Sequence, residues 1–511
     1  MNIVIQPDAN EPAYKQIHRQ IRELIRDGLL EAGAKLPSVR DLAKSIGVSV
    51  TTIHTAFEAL AAENLIETRQ GCGTFVTKHP GIVTGANLRT REEMGGQLSQ
   101  LPPMRWEPYG FQSDFFLVPE SKSHTGRLIR FAQASPDPAL FPLDRIKQIA
   151  TTMLWDPKDF FFDRGHPQGY LPLVDHMEKE MALSGVPMAE GENDIILTGG
   201  FQRALSVILR RLLRPGQRVA VESPTYGPIL NLLIAEDIGF VPIPLDKDGM
   251  DTEYLGSVLK KQDVQAIITI PTFHNPTGIT MSLERREHLL RLAARHRVPV
   301  IEDDWGRALR YDGEDIPPLK AMDQGGYVVH IGTFSKCFLP GLRIGWITSP
   351  AGLSIPLLRS KFAADRSDSY FLQALLYEFI LKGHYAKHLR KSLKEYKRRC
   401  SAMCKALYEY LPDGCRFIEP KGGFSIWVEL PEQLKSLPLY TLAKDAGVQF
   451  LPAAFCMSNH QDASAFRLSF SRSTAEEIKT GVKLLCDVIS RCLEQPELLE
   501  QGAKTYKDLY R

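Results

Sequence analysis

Gly332-Thr333-Phe334-Ser335-Lys336, followed by Gly341-Leu342-Arg343-Ile344-Gly345-Trp346, decides how this 511-residue chain is read. It sets a lysine beside hydroxyl groups and places an arginine seven residues further on. An amine that is to condense with an aldehyde needs such a setting, because anion-binding groups must fix a phosphate while the amine is held at the carbon. Upstream, Val298-Pro299-Val300-Ile301 reads as a buried strand ending in Glu302-Asp303-Asp304. A carboxylate at the end of a strand can pair with a protonated pyridine nitrogen and keep the ring an electron sink. Further upstream, the strand Ala266 to Ile270 runs into Pro271-Thr272-Phe273-His274-Asn275-Pro276-Thr277-Gly278, where Asn275 can donate a hydrogen bond to a ring oxygen. From about residue 126 onward β-branched runs alternate with helical stretches, the pattern of an α/β fold with a largely parallel sheet.

Outside that core the texture changes twice. Residues 1–78 are compact and helical in pattern, and residues 79–125 carry Gly, Pro, Ser and mixed charge with no sustained period. That stretch reads as a long linker. The body over 126–511 divides into a large part, about 165–360, and a smaller α+β lobe, about 361–511 together with the 126–164 segment. Length agrees with three or so units at ~150 residues each. Hydrophobic residues at 43% and charged residues at 24% suit folded domains rather than disorder. No apolar run approaches the ~20 residues of a membrane span. The start lacks the basic and apolar regions of a secretory signal, and the eight cysteines form no CxxC pair. The plain expectation is a cytoplasmic chain with reduced thiols, no metal site and no membrane partner.

The head is read in three helices. Tyr14, Ile17, Ile21, Leu24 and Ile25 recur at helical spacing; Ser38 can cap a second helix carrying Val39, Leu42 and Ile46; Ser49 can cap a third through about Glu63. Leu65 to Thr68 and Thr74 to Thr77, joined across Gly71-Cys72-Gly73, add a hairpin wing. A winged helix-turn-helix of this kind would lay its third helix in a major groove, with Val50, Thr51, Thr52 and His54 near base edges. Charge gives no support, because the head holds nine Lys/Arg and nine Asp/Glu within a whole-chain balance of +2. On composition alone a protein-docking module is as good a reading as a DNA binder.

The order Leu36-Pro37-Ser38-Val39-Arg40-Asp41-Leu42-Ala43, Gly47-Val48-Ser49 and Gly71-Cys72-Gly73-Thr74-Phe75-Val76 resembles the GntR winged-helix family over nearly the whole head. The resemblance implies DNA contacts from Arg40, from the third helix (Ser49, Thr51, Thr52, His54) and from the wing glycines Gly71 and Gly73. The family often has arginines where this chain has Val50 and His54. The segments of the body resemble the fold-type I, class I/II aminotransferases dependent on pyridoxal 5'-phosphate, from about 130 to 490. By that resemblance Lys336 carries the cofactor as an internal aldimine. Asp303 pairs with its pyridine nitrogen, Asn275 bonds its ring oxygen, and Tyr226 stacks on the ring. Gly200, Phe201 and Gln202 open the phosphate-binding helix; Thr333, Ser335 and Arg343 complete the phosphate site; Arg467 grips a substrate carboxylate. Two positions depart from the family pattern: Trp305 stands where a tyrosine often helps hold the ring oxygen, and Arg164 where a tyrosine commonly crosses from a partner subunit.

Head, linker and body together resemble the MocR subfamily of bacterial regulators. That resemblance implies a homodimer that binds double-stranded promoter DNA and senses a small amine, amino acid or vitamer through the cofactor. A working aminotransferase with a secondary DNA-binding head is the alternative, and a DNA binder with a vestigial body is a third.

Overall fold

The computed structural model describes residues 3–5, 11–69, 71–77, 128–156, 165–459 and 461–509. Arg164 and the expected linker over 79–125 lie outside them. The chain divides into two compact units, Met1–Gln112 and Ser113–Arg511.

In the first unit, α1 (Ala13–Arg26), α2 (Val39–Ile46) and α3 (Val50–Ala62) surround a small core. Ile17, Ile21, Ile53, Ala56 and Leu60 are completely buried in it. Each fully buried isoleucine or leucine contributes about 1.5–3 kcal/mol, which is how so short a unit holds together. Ser38 and Ser49 cap α2 and α3 as their positions predict, accepting the N–H groups of Asp41 and Thr52, each at 3.1 Å. Strands β1 (Ile66–Arg69) and β2 (Gly73–Val76) form the antiparallel wing, with Ile66 opposite Val76.

The second unit is built on an eight-stranded sheet in the order β4-β11-β10-β9-β8-β5-β6-β7. Its strands are β4 (Asn193–Thr198), β5 (Arg218–Ser223), β6 (Gly239–Asp246), β7 (Gly249–Met250), β8 (Ala266–Thr269), β9 (Val300–Asp303), β10 (Val328–Thr333) and β11 (Gly345–Pro350). From β10 to β6 all neighbours are parallel, while β11 is antiparallel to both β10 and β4. The inner parallel strands β8, β9 and β10 are mostly apolar and buried on both faces, as helical cover on both sides requires. One face packs against a cluster that includes Leu205, Leu230 and Ile301. The other packs against two separate clusters, one around Ile267 and Leu289 and one around Leu173, Leu197 and Phe379.

A second sheet in the order β12-β13-β16-β15 makes the smaller lobe: β12 (Arg416–Phe417), β13 (Ser425–Glu429), β15 (Leu451–Pro452) and β16 (Ala465–Ser469). The segment between 126 and 164 is divided between the two parts. Ile129–Arg130, strand β3, pairs with β14 (Val448–Gln449), whereas the helix Leu143–Trp155 adds Ile149 and Met153 to the cluster around Leu173. No described helix is long and apolar enough to cross a membrane, and no described group of His, Cys, Asp and Glu could hold a metal ion.

Candidate functional site

Five chain segments leave the carboxyl ends of β4, β10, β9, β8 and β5 on one edge of the large sheet. Open α/β sheets bind ligands at that edge, where each strand hands over to a turn. Buried ionic and polar bonds brace these turns from below. Glu302 accepts the N–H groups of Leu319 (2.6 Å) and Lys320 (3.0 Å) and lies 3.0 Å from His330 Nδ1. Glu222 accepts the Thr269 hydroxyl (2.6 Å) and the Ile270 N–H (2.8 Å), and His274 Nε2 lies 3.2 Å from it, which fixes the turn that presents Asn275.

Lys336, Asn275, Tyr226 and Arg467 line one cleft of about 250 Å³, with Leu451, Phe455 and Cys456 as its apolar wall. The Lys336 amine donates to the Ala134 carbonyl at 2.8 Å. Burial, with the positive charge of Arg467, lowers its pKa from 10.5 to about 8, against an opposing pull from Asp303. Arg467 sits on the central strand β16, 5% exposed. Its guanidinium donates to Asn275 Oδ1 at 2.9 Å and to the Ala132 carbonyl, while its Nε has no partner among the described residues. Asn275 and Arg467, which the sequence assigns to different parts of a ligand, are thus bonded to each other.

Asp303 ends β9 with its side chain buried and Oδ1 without a partner among the described residues. Burial, then the neighbouring charge of Asp304, pushes its pKa well above the usual carboxylate range. Burial and the Asp303 charge likewise raise Tyr226, whose ring meets Phe201 edge-on at 6.1 Å. On the other side of the lysine, Gly200 (φ +89°) precedes the helix Phe201–Leu212, and a Cβ there would lie 2.9 Å from the Arg343 guanidinium. Arg343 Nη1 reaches Ser335 Oγ at 3.5 Å. A helix N-terminus, a guanidinium and a hydroxyl converge there, a setting suited to a phosphate.

Of the expected phosphate residues, one hydroxyl turns elsewhere, and Gln202 has only its place in the first turn of the helix to offer. The Thr333 hydroxyl donates to the Ile344 carbonyl (3.3 Å) and accepts the Ser335 N–H (3.1 Å). The Gln202 side chain is exposed and reaches the Pro228 carbonyl at 3.4 Å. Trp305 is buried against Phe424, ring centres 6.0 Å apart, with its indole N–H unpartnered. Sequence reasoning missed Ala132 and Ala134. They act through backbone carbonyls, which leave no side-chain signature.

On the head, Arg40, Thr51 and His54 are exposed, and Gly71 (φ +75°) and Gly73 (φ +111°) bend the wing tip. A Cβ on Gly73 would meet the Lys35 side chain at 2.9 Å, so the glycine lets a cation lie across the wing. Ser49 and Thr52 have their hydroxyls 2.7 Å apart within the cap of α3, so both are already engaged. His54 Nδ1 lies 3.3 Å from Glu58, which places a carboxylate on the exposed face of the same helix.

Comparison with known proteins supplies the family. Residues 178–485 match the model described as aminotransferase class I and II, and residues 13–76 match the model of bacterial regulatory proteins, gntR family. An uncharacterized HTH-type transcriptional regulator of Bacillus subtilis, YdfD, is 30% identical over 92% of this chain and 95% of its own. The probable rhizopine catabolism regulatory protein MocR of Rhizobium meliloti is 28% identical over 88% of each. The crystal structure of Pyrococcus horikoshii kynurenine aminotransferase in complex with PMP superposes with a TM-score of 0.69 at 34% identity, covering 72% of this chain and 92% of that one. The chain therefore belongs to the MocR-type regulators of the gntR family, in which a helix-turn-helix head precedes an aminotransferase class I and II body.

Proposed function

We propose that this DNA-binding regulator reads a small amine or amino acid through pyridoxal phosphate held covalently at Lys336, and that it does so as a cytoplasmic homodimer on promoter DNA. One observation carries the reading: in a chain with a gntR-type head, a lysine with its pKa near 8 and an arginine with an unpartnered Nε line the same buried cleft. The residues suit the cofactor. Asp303 offers a buried carboxylate with a free oxygen to a protonated pyridine nitrogen, and Arg343, Ser335 and the N-terminus beyond Gly200 offer donors to a phosphate. PMP, the aminated form of that cofactor, is the ligand named for the kynurenine aminotransferase that the body resembles.

When bound, the cofactor supplies a carbonyl carbon for exchange with an incoming amine and an electron sink behind it. The protein supplies the rest. Burial keeps a larger share of the Lys336 amine neutral, and therefore nucleophilic, than an exposed lysine would have. Arg467 offers a fork to a carboxylate once Asn275 is drawn away from it. The hydrogen bonds from Lys336 to Ala134 and from Arg467 to Ala132 tie the segment after β3 to the cleft, so exchange at the lysine is felt by that segment. Binding of an effector then biases one arrangement of the protein over another.

The test is a promoter footprint on the cofactor-loaded protein, with and without a panel of amines and amino acids. The expected result is a protected pair of half-sites that changes with one effector class, with that response lost in Lys336→Ala. No specific footprint under any of these conditions would refute the reading. The intact set Lys336, Asp303, Asn275 and Arg467 also supports a second reading as a transaminase, which sustained amino transfer at roughly 1 per second or faster would establish.

A further inference from the structure

A larger cavity, of about 770 Å³, lies behind the cofactor cleft and shares no lining residue with it. Its walls come from the helix Leu171–Leu183, from the turns that follow β9 and β10, from β11, and from the first turns of the helix His384–Tyr410. Asp304 lines it, only 8% exposed, and its Oδ1 has no hydrogen-bond partner among the described residues. The cationic and ionisable groups around that carboxylate are engaged elsewhere. Arg307 donates to Asp315 (2.7 Å) and to the Ile316 carbonyl (2.8 Å). Arg286 donates to the carbonyls of Met281, Pro271 and Pro317. Arg310 reaches Asp315, and His330 Nδ1 lies against Glu302. A buried carboxylate left in this way is costly, and a ligand that supplied a cation would relieve it.

The rest of the lining suits the same ligand. Phe334 stands 5.3 Å from Trp346 and 5.8 Å from Tyr385, ring centre to ring centre, giving an aromatic wall of the kind that attracts organic cations. Trp305 and Trp346 also line the cavity and carry buried indole N–H groups without acceptors among the described residues. We infer that this cavity is a second small-molecule site, which takes a small organic ammonium compound bearing an oxygen acceptor, its charge on Asp304 and its oxygen within reach of the indole donors. Asp304 directly follows Asp303 and Cys337 directly follows Lys336, so an occupant touches the two turns that carry the cofactor machinery. The site stands independently of what the cofactor cleft binds.

The test uses protonated N,N-dimethylethanolamine, a tertiary amine that cannot condense with a carbonyl and has no carboxylate for Arg467. Calorimetric titration of the full-length, cofactor-loaded protein should give saturable binding at one site per chain. Asp304→Asn should weaken it at least about tenfold, as loss of a charged partner in an aromatic cage requires. Ala386→Trp, on an exposed residue at the cavity wall, should abolish it. If Asp304→Asn fails to fold, Ala386→Trp decides alone. Absence of saturation, unchanged affinity in the variants, or loss of binding in Arg467→Ala but not in Asp304→Asn would overturn the inference.

Discussion

Head and body handle their polar groups in opposite ways. In the head, the hydroxyls of Ser49 and Thr52 close on each other in a helix cap and His54 is held by Glu58. In the body, Asp303, Asp304, Trp305 and Arg467 each keep a buried polar atom without a partner among the described residues. A surface that meets DNA can leave its groups to water until the duplex arrives, because exposure costs nothing. A buried group has no such recourse, so an unpartnered one calls for an ordered water or, where several converge on one cleft, for a ligand's own atoms. The head's function should therefore degrade gently under substitution and the body's abruptly.

The sharpest way to break that contrast is Asp303→Asn. On the proposed reading, in which Asp303 faces the pyridine nitrogen of the cofactor, replacing it by an amide should lower cofactor affinity by about two to three orders of magnitude, read by absorbance titration of the apo-protein. Next comes pH. The Lys336 amine is neutral above its pKa of about 8, so the rate of cofactor capture should rise roughly tenfold from pH 7 to pH 9 and then flatten. A lysine at the ordinary value would keep climbing past pH 10, and that profile would remove the case for an electrostatically tuned amine. Gly200→Ala forces a side chain into φ +89° and toward Arg343, so it should cost about 1–3 kcal/mol in thermal unfolding and weaken cofactor binding about tenfold. The smallest effect is expected in the head. Ser49→Ala should lower its stability by about 1 kcal/mol, measured by denaturant unfolding, with DNA affinity falling only in proportion. A loss of DNA binding far beyond that would mean that Ser49 touches the duplex as well as the helix.

What the sequence disclosed follows the same division. Lys336, Asp303 and Asn275 were legible because each is a polar residue just beyond an apolar strand, and turns after parallel strands must converge on one edge, whereas Arg467, in the middle of β16 of the antiparallel sheet, was reached only through the family resemblance. Ser49 was legible as a cap and ambiguous as a DNA contact, while Thr52 read only as a DNA contact, since a hydroxyl that closes a helix and one that meets a base look the same in a string of letters. Thr333 reads like Ser335, yet its hydroxyl is taken up by Ile344 and only the fold reveals which way it turns. The Ala132 and Ala134 carbonyls and the cavity beside Asp304 were beyond reach. The first are backbone atoms, and the second exists only because the helix Leu171–Leu183 and the helix His384–Tyr410 meet across some two hundred residues of sequence.

Strand β11 runs between β10 and β4 and places Gly345 in one row with Thr333 on one side and Thr198 on the other. That row is a spacer of fixed gauge. It sets how far the turn bearing Lys336 stands from the turn bearing Gly200, with Arg343 just ahead of the spacer. Lengthening the chain by one residue between Arg343 and Gly345 would turn every β11 side chain to the opposite face or slide both neighbouring turns along it. The two-residue strand β7 at the far edge, bonded on one side only, carries no such duty. Loop grafts and reporter insertions belong at that far edge, and the spacing at the near edge has to be left as it is.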